Sequence, residues 1–436
     1  MKAGKEFGSD EGSVMIIRKA LYGLKSAGNS WHNLMSETIL NMGYVNSIAD
    51  PDVWRRRVRD EKGNDCYELL LVYVDDILCV SRKPMETMDV INSLFSLKEP
   101  AKEPDMYLGA VIGRWQLPDG RWAWSMSAKG YLKEAVAIVK DMLSKEGRKM
   151  TGGKRAERPY PKSYKPELDT TSELSDKMVQ RYQQLIGILR WGVELGRLDI
   201  LYEVSCLSSH LALPRVGHLE AVYNIFGYIA KHLDSTIVFD DKDVSAPESA
   251  FAHEDWSESI YGNLPEQLPG NMPEPLGKEV KISVFVDADH AGDKVTRRSQ
   301  TGILIFLNNA PIDWYSKKQN TVESSTFGSE FIAARIACDK VEALRYKLRM
   351  FGISIDGPAD VYCDNGSVVT SAQKVEGRLN KKHNAICFHR VRECVAHGII
   401  RVTKEDGGTN LADLFTKSLE PTKRREILRS IFVKGG

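Results

Sequence analysis

From Lys281 to Leu419 the chain alternates β-type and helix-type patterns in an order that few folds can accommodate. Lys281–Val286 alternates apolar and polar residues as a strand does, and it ends at Asp287. Thr301–Leu307 and Ile312–Ser316 flank Asn308-Asn309-Ala310-Pro311, which reads as a hairpin turn. Ser324–Phe351 has helical periodicity, as one long helix or two abutting ones. A strand over Asp360–Cys363 ends at Asp364, and a helix near Ala385–His397 leads into the strand Ile399–Thr403. A last short helix starts near Asn410 and includes Asp413. This order predicts a mixed sheet with helices packed on it.

The pattern carries four carboxylates at strand ends and early helix turns: Asp287, Glu330, Asp364 and Asp413. Taken singly, each Asp has an ordinary explanation. Asp287 and Asp364 suit turns, and Asp413 suits a helix start. Glu330 is different, because it stands among Phe327, Phe331 and Ile332 on a largely apolar helix. Carboxylates gathered at strand ends repel one another and persist together where cations neutralise them. Hard oxygen ligands favour Mg²⁺ or Mn²⁺ over zinc. Two such ions ~3.5–4 Å apart suit in-line attack on a phosphodiester.

The N-terminal part offers a second acidic feature. The apolar run Tyr67–Val74 and the run Ile77–Val80 flank Asp75-Asp76, which reads as a β-hairpin presenting two carboxylates at its tip. A tight turn would satisfy the pair, and metal binding is the sharper reading. Downstream, residues 143–175 form a basic loop or insertion, with eight Lys/Arg against two Glu over 144–165. Residues 176–239 are helical: Tyr182, Leu185, Ile186 and Leu189 recur at helical spacing, as do Leu219, Val222, Ile225, Phe226 and Ile229. Residues 240–280 carry ten Asp/Glu against two Lys, with five prolines, and read as an acidic linker or partly disordered insert. Residues 420–436 read as a tail.

The formal charge of +1 therefore hides basic segments separated by an acidic one. Basic excess can neutralise phosphates, although from charge alone a solvated surface is the preferred reading. The seven cysteines show no C-x-x-C pair and fit no zinc spacing, so they read as reduced structural thiols. No apolar run reaches the ~18 residues of a membrane span, and the first residues lack the apolar core of a signal peptide. The expectation is an intracellular protein with no membrane partner, cytoplasm and nucleus not being distinguished.

Six segments of the third stretch, in order, resemble the ribonuclease H domain of Ty1/copia-type retrotransposon polyproteins. They are Asp287-Ala288-Asp289-His290-Ala291-Gly292, Arg297-Arg298-Ser299, Trp314-Tyr315-Ser316-Lys317-Lys318-Gln319, Ser329-Glu330-Phe331-Ile332-Ala333-Ala334, Tyr362-Cys363-Asp364-Asn365 and Leu411-Ala412-Asp413-Leu414-Phe415-Thr416-Lys417. The family cuts the RNA strand of RNA–DNA hybrids. The resemblance implies that Asp287, Glu330, Asp364 and Asp413 are its metal ligands, with Mg²⁺ or Mn²⁺ as cofactor. Transposases and integrases of related fold order their acids Asp, Asp, Glu, whereas here the Glu comes second. Lys317-Lys318 and the run Arg378 to His383, which includes Lys381 and Lys382, are candidates to track hybrid phosphates. The chain departs from the family's Lys-His-x-Asp with Lys382-His383-Asn384-Ala385. It also lacks a His between Glu405 and Asn410, where some ribonucleases H use one for product release, so that role is unfilled or is served from elsewhere by His383 or His389.

Upstream, Lys19-Ala20-Leu21-Tyr22-Gly23-Leu24-Lys25, Trp31, Ala49-Asp50-Pro51, Tyr73-Val74-Asp75-Asp76 and Tyr107-Leu108-Gly109 resemble the same family's reverse transcriptase. The resemblance implies a partial palm over 1–142 with Asp75 and Asp76 as catalytic residues, and a helical thumb or connection over 176–239. The ribonuclease H-like domain, a mixed sheet with flanking helices, would occupy 281–419. The fold class expected is α/β and α+β. A polymerase of this type needs a third carboxylate well upstream of Tyr22, so DNA synthesis by this chain alone is not expected. The expected partners are an RNA–DNA hybrid and a longer polyprotein or other retroelement proteins. Two other readings stay open: a decayed remnant that only binds nucleic acid, and a general Mg²⁺ nuclease acting on single strands.

Overall fold

The computed structural model describes all residues except 1, 15, 17–23, 96, 98, 162, 244–245, 380–381 and 434–436. The motif residues Lys19–Gly23 and the candidate Lys381 lie outside the described residues. The chain divides into two compact units. One is 1–102 with 273–277 and 350–352, and the other is the remainder.

In the first unit, α1 (Ala27–Asn41) is followed by β1 (Val45–Asn46), β2 (Val53–Arg59), β3 (Asp65–Tyr73) and β4 (Asp76–Val80), then by α2 (Pro84–Leu94). The four strands pair antiparallel in chain order. Alternation in β3 turns Glu68, Leu70 and Val72 inward. Leu70 and Val72 pack with Trp54 against Met35 and Ile39 of α1 and Ile91 of α2. The predicted hairpin is present: Tyr73 pairs with Asp76, leaving Val74-Asp75 as a two-residue turn. Val74 takes φ +58, costly for a β-branched residue, and its carbonyl accepts from Trp31 Nε1 at 2.7 Å.

The second unit opens with β5 (Met106–Tyr107), β6 (Ala110–Gln116), β7 (Trp122–Ser127) and α3 (Lys129–Lys145). Three helices follow, α4 (Asp176–Glu194), α5 (Leu201–Ser208) and α6 (Val216–Lys231), and then β8 (Ile237–Phe239). The strands form a sheet in the order β5-β6-β7-β8. The two predicted helical faces, with Leu185 and Leu189 of α4 and Val222 and Phe226 of α6, meet in one core, joined by Leu132 and Val136 of α3, a helix not expected from the sequence. The basic stretch before α4 is packed as well, because Tyr160 is buried and donates to the Glu203 carbonyl at 2.7 Å.

After β9 (Leu276–Val280) come β10 (Ile282–Asp289), β11 (Gln300–Leu307), β12 (Ala310–Lys318), α7 (Thr326–Met350), β13 (Ile353–Ile355), β14 (Ala359–Cys363), α8 (Gly366–Gln373), α9 (Ala385–Ala396) and β15 (Ile400–Lys404). The mixed sheet has the order β12-β11-β10-β14-β15. β10 runs antiparallel to β11 and parallel to β14, which runs parallel to β15. The sheet is buried on both faces. Ile303 and Ile305 of β11 face Phe331, Val341 and Phe388 on the helices. Leu304 and Phe306 face a second core with Leu198, Phe415 and Ile427. This two-sided burial is why β11 reads as an unbroken apolar run. The β11–β12 turn is tighter than the four residues expected: Asn308-Asn309 suffices, with Asn308 at φ +53. Pro311 is accommodated inside edge strand β12, opposite a register shift at Ile305/Phe306.

Two segments expected to be loose are, over residues 246–272 and 420–433, ordered parts of the second unit. In the acidic stretch, Phe251 lies under Arg401 at 3.8 Å, and Trp256 under Arg392 at 4.8 Å. Glu266 bridges Arg345 at 2.6 Å and Arg349 at 2.5 Å. Composition suggested a linker because these partners are 79 or more residues away in sequence. The last stretch likewise holds α10 (Pro421–Arg429), whose Arg424 and Ile427 are buried.

The Glu266 clamp predicts a pH-dependent contribution to stability. Burial opposes ionisation, but hydrogen bonds from Arg349 and Arg345 outweigh it and hold Glu266 down to about 2. An unfolded Glu titrates near ~4.3, so the clamp stabilises fully above that pH and is lost as pH falls toward 2. Glu266→Gln is expected to cost about 2 kcal/mol at pH 7, with the gap from the parent closing between about pH 5 and pH 2 in urea titrations. A gap that stays constant across this range would remove the clamp as its source.

Candidate metal centre

Sheet register explains how distant carboxylates meet. In the parallel pairing of β10 with β14, Val286 lies beside Cys363, so the next residues, Asp287 and Asp364, emerge at the same sheet end. A short 3-10 turn, Leu411–Phe415, brings Asp413 to them. Its start is fixed by Asn410, whose side chain donates to the Val286 carbonyl at 3.0 Å and accepts from the Ala412 amide at 3.0 Å. Gly302, opposite Asp287 on β11, makes room for this turn: a Cβ there would lie 2.7 Å from the Ala412 carbonyl. Ligand oxygens of Asp287, Asp364 and Asp413 all lie within 4.8 Å of one another.

Glu330 reaches the same place from α7. Gln319 holds the start of that helix, donating to the Ser329 carbonyl at 2.9 Å and to Thr301 Oγ1 at 3.0 Å. Glu330, Cys363 and Asp364 form a second group within 4.8 Å, so Asp364 is shared by both groups. Asp287, Glu330 and Asp413 are each at most 3% exposed, and Asp364 is half-buried.

Burial pushes Asp287 up to about 7, against Lys417 and Thr416, with Asp413 and Asp364 adding repulsion. Burial, then Asp287 and Asp364, push Glu330 well above the usual carboxylate range. Its Oε2 is buried with no hydrogen-bond partner among the described residues. A buried carboxylate oxygen without a donor, beside three further acids, fits a hard divalent cation.

Sequence reasoning missed the cations that balance this cluster. Lys417 Nζ sits 2.5 Å from Asp413 and 3.6 Å from Asp287. Lys423 also pairs with Asp413, and the Thr416 hydroxyl donates to Asp287. Lys417 stands four residues after Asp413, a spacing that could have suggested the pair.

The other candidates are placed as follows. Asp75 is exposed on the hairpin turn of the first unit, and Asp76 is exposed at the start of β4 beside it. Among the described residues they form no group of three ligating side chains. Lys317, Arg378 and Lys382 are exposed. Lys318 is committed to Asp293. His383 is exposed, with Nε2 3.2 Å from Glu323, and His389 Nδ1 lies 2.6 Å from the Tyr261 hydroxyl. All seven cysteines are free thiols, and no helix is long and apolar enough to cross a membrane among the described residues.

No family model matches the chain. It is 28% identical over 412 residues to the retrovirus-related Pol polyprotein from transposon RE1 of Arabidopsis thaliana, covering 94% of this chain and 24% of that protein. It is 25% identical over 437 residues to the retrovirus-related Pol polyprotein from transposon TNT 1-94 of Nicotiana tabacum, covering 98% of this chain and 29% of that protein. The chain thus spans about a quarter of the length of these relatives, and its resemblance to retrotransposon Pol polyproteins extends along most of its own length. Among solved structures, LC11-RNase H1 in complex with an RNA/DNA hybrid is 16% identical, with a TM-score of 0.26, covering 31% of this chain and 94% of that one. A foamy viral protease-reverse transcriptase in complex with an RNA/DNA hybrid is 16% identical, with a TM-score of 0.24, covering 40% of this chain and 23% of that one.

Proposed function

We propose that this chain hydrolyses the RNA strand of RNA–DNA hybrids as a metal-dependent ribonuclease H. The observation that carries the proposal is the convergence of Asp287, Asp364 and Asp413 within 4.8 Å, with Glu330 sharing Asp364. The similarity to Pol polyproteins of retrotransposons supports it. Asp287, Asp364, Asp413 and Glu330 would hold Mg²⁺ or Mn²⁺. Such ions supply a hydroxide nucleophile and stabilise the leaving oxygen when bound. The chain's own residues fix the geometry. Sheet pairing sets Asp287 beside Asp364, Asn410 seats the turn bearing Asp413, and Gln319 anchors the helix bearing Glu330. Lys417 and Lys423 pair with Asp413 and offset part of the charge of the cluster.

The test is a cleavage assay with RNA–DNA hybrid, duplex DNA and single-stranded RNA, each with Mg²⁺ and with EDTA. The expected result is Mg²⁺-dependent cutting of the RNA strand in the hybrid alone. Cutting of single-stranded RNA at the same rate would point to a general nuclease. Binding of hybrid with no turnover in any metal would leave a remnant that only binds nucleic acid. Asp75 and Asp76 supply two carboxylates, and a two-ion polymerase centre asks for a further one. Primer extension on an RNA template by the purified chain tests whether these two carboxylates also support DNA synthesis.

A further inference from the structure

We propose that the end of the basic stretch 143–175 and the loop after β10 form a clamp for the nucleic-acid backbone beside the metal centre. The inference rests on the hybrid-cleaving reading above and assigns a role to residues outside the carboxylate cluster.

A recess of about 30 Å³ lies between these segments. Lys165, Pro166 and Glu167 line one side, and Asp289, Asp293 and Arg298 line the other. The Lys294 amide donates to Glu167 at 3.2 Å, so the two segments are joined. Asp289 is two residues beyond Asp287 on β10, and its side chain therefore projects from the same face, ~7 Å further along the strand. That is about two base-pair rises of a nucleic-acid helix, at ~3.4 Å each. A backbone phosphate held at the recess would belong to a nucleotide about two steps from the one being cut.

The charges at the recess separate into two classes. Its carboxylates already have protein donors. Asp289 accepts from the Gln300 amide. Asp293 accepts from the Val295 and Thr296 amides at 3.0 and 2.7 Å and pairs with Lys318. Glu167 holds Lys294 N–H as above. Four cations remain around them, Lys165, Lys294, Arg297 and Arg298, and none forms an ion pair with a carboxylate among the described residues. Lys294, Arg297 and Arg298 are exposed, and Lys165 is half-buried at the rim. Arg297 takes φ +57, a backbone position that non-glycine residues seldom adopt, and its amide bonds to the Asp293 carbonyl at 2.9 Å. A loop so fixed, with Asp293 paired to Lys318, Asp289 and Glu167 hydrogen-bonded to backbone amides, and four cations against those two unpaired carboxylates, suits a polyanion running past the metal centre. The occupant we assign is the backbone of the RNA–DNA hybrid.

The experiment measures binding apart from catalysis. A fluorescein-labelled RNA–DNA hybrid is titrated in EDTA, and anisotropy is followed from 50 to 200 mM salt. The variants are Lys165→Gln/Arg298→Gln and, as control, Lys347→Gln. Lys347 is exposed on α7, about 25 Å along the helix from Glu330 at ~1.5 Å per residue. The double variant is expected to bind about tenfold more weakly, and the slope of log K against log salt should fall by about 2. Lys347→Gln should match the parent. Circular dichroism of the double variant should overlay the parent's. Unchanged affinity and slope in the double variant would overturn the clamp, as would equal loss in Lys347→Gln. If the parent binds hybrid through these cations yet never cuts it, the catalytic reading fails while the clamp stands. If it cuts and the double variant binds normally, the clamp alone fails.

Discussion

Asp364→Asn is expected to abolish hybrid cleavage, by roughly a thousandfold or more, equivalent to ~4 kcal/mol of activation barrier. Asp364 is the one carboxylate common to both ligand groups, one with Asp287 and Asp413 and the other with Glu330 and Cys363. The amide keeps the shape of the side chain and removes its charge, so the β10–β14 pairing should survive. The same change should act oppositely on stability. Without metal, Asp364 raises the cost of ionising both Asp287 and Glu330. Removing it relieves that repulsion, so the metal-free variant should melt at the parent's temperature or higher. Mg²⁺ should stabilise the parent, and the variant much less, because a ligand that binds only the folded state adds stability by mass action. Differential scanning calorimetry with EDTA and with Mg²⁺ reads both effects. A variant that cuts hybrid as fast as the parent would remove Asp364 from the metal centre. One that melts well below the parent in EDTA would recast it as a structural residue.

The contrast between activity and stability clarifies what could be read from the sequence. Local chemistry was legible. The alternation around Asp75-Asp76 gave the hairpin, and the helical spacing of Leu185 and Leu189 gave the buried face of α4. The order of strand ends and helices marked Asp287, Glu330, Asp364 and Asp413 as candidates. Their convergence depends on β10 pairing parallel to β14, a non-local choice that local periodicity does not encode. The docked stretch from Phe251 to Glu266 was illegible for a related reason. Its own residues are acidic, proline-bearing and sparsely apolar, as in a linker, and its order comes from Arg345, Arg349, Arg392 and Arg401 contributed from far along the chain. Lys417 was visible as a letter beside Asp413, but its placement against Asp287 arises only when the 411–415 turn seats over Gly302.

The buried charges behind the C-terminal helix give the largest expected effect on stability. Arg424 of α10 is 2% exposed and donates to Glu203 at 3.0 Å and to the Asp199 carbonyl. Arg197 forms a bidentate pair with Asp199 at 2.8 and 2.9 Å, and the Tyr228 hydroxyl donates to Asp199 at 2.9 Å. Burial works against the Asp199 carboxylate, yet Arg197 and Arg424 keep it below its ordinary range. Burial pushes Glu203 upward, and Arg424 is the cation that opposes it. The network therefore holds two arginines and two carboxylates, and removing one member strands its partner in a dry interior. Arg424→Met should destabilise the second unit by about 3–5 kcal/mol, because Glu203 is left buried and unpaired. Arg424→Met with Glu203→Met should recover much of that loss, since taking out both charges removes the desolvation cost along with the attraction. Urea unfolding followed by tryptophan fluorescence compares the three proteins. A single variant within 1 kcal/mol of the parent, or a double variant no better than the single, would show that the pair contributes through packing and not through charge. The expected ranking also bears on the metal centre. The 411–415 turn that carries Asp413 packs through Phe415 into the core that holds Ile427 of α10. Loosening α10 should therefore lower hybrid cleavage at temperatures where the unit as a whole remains folded.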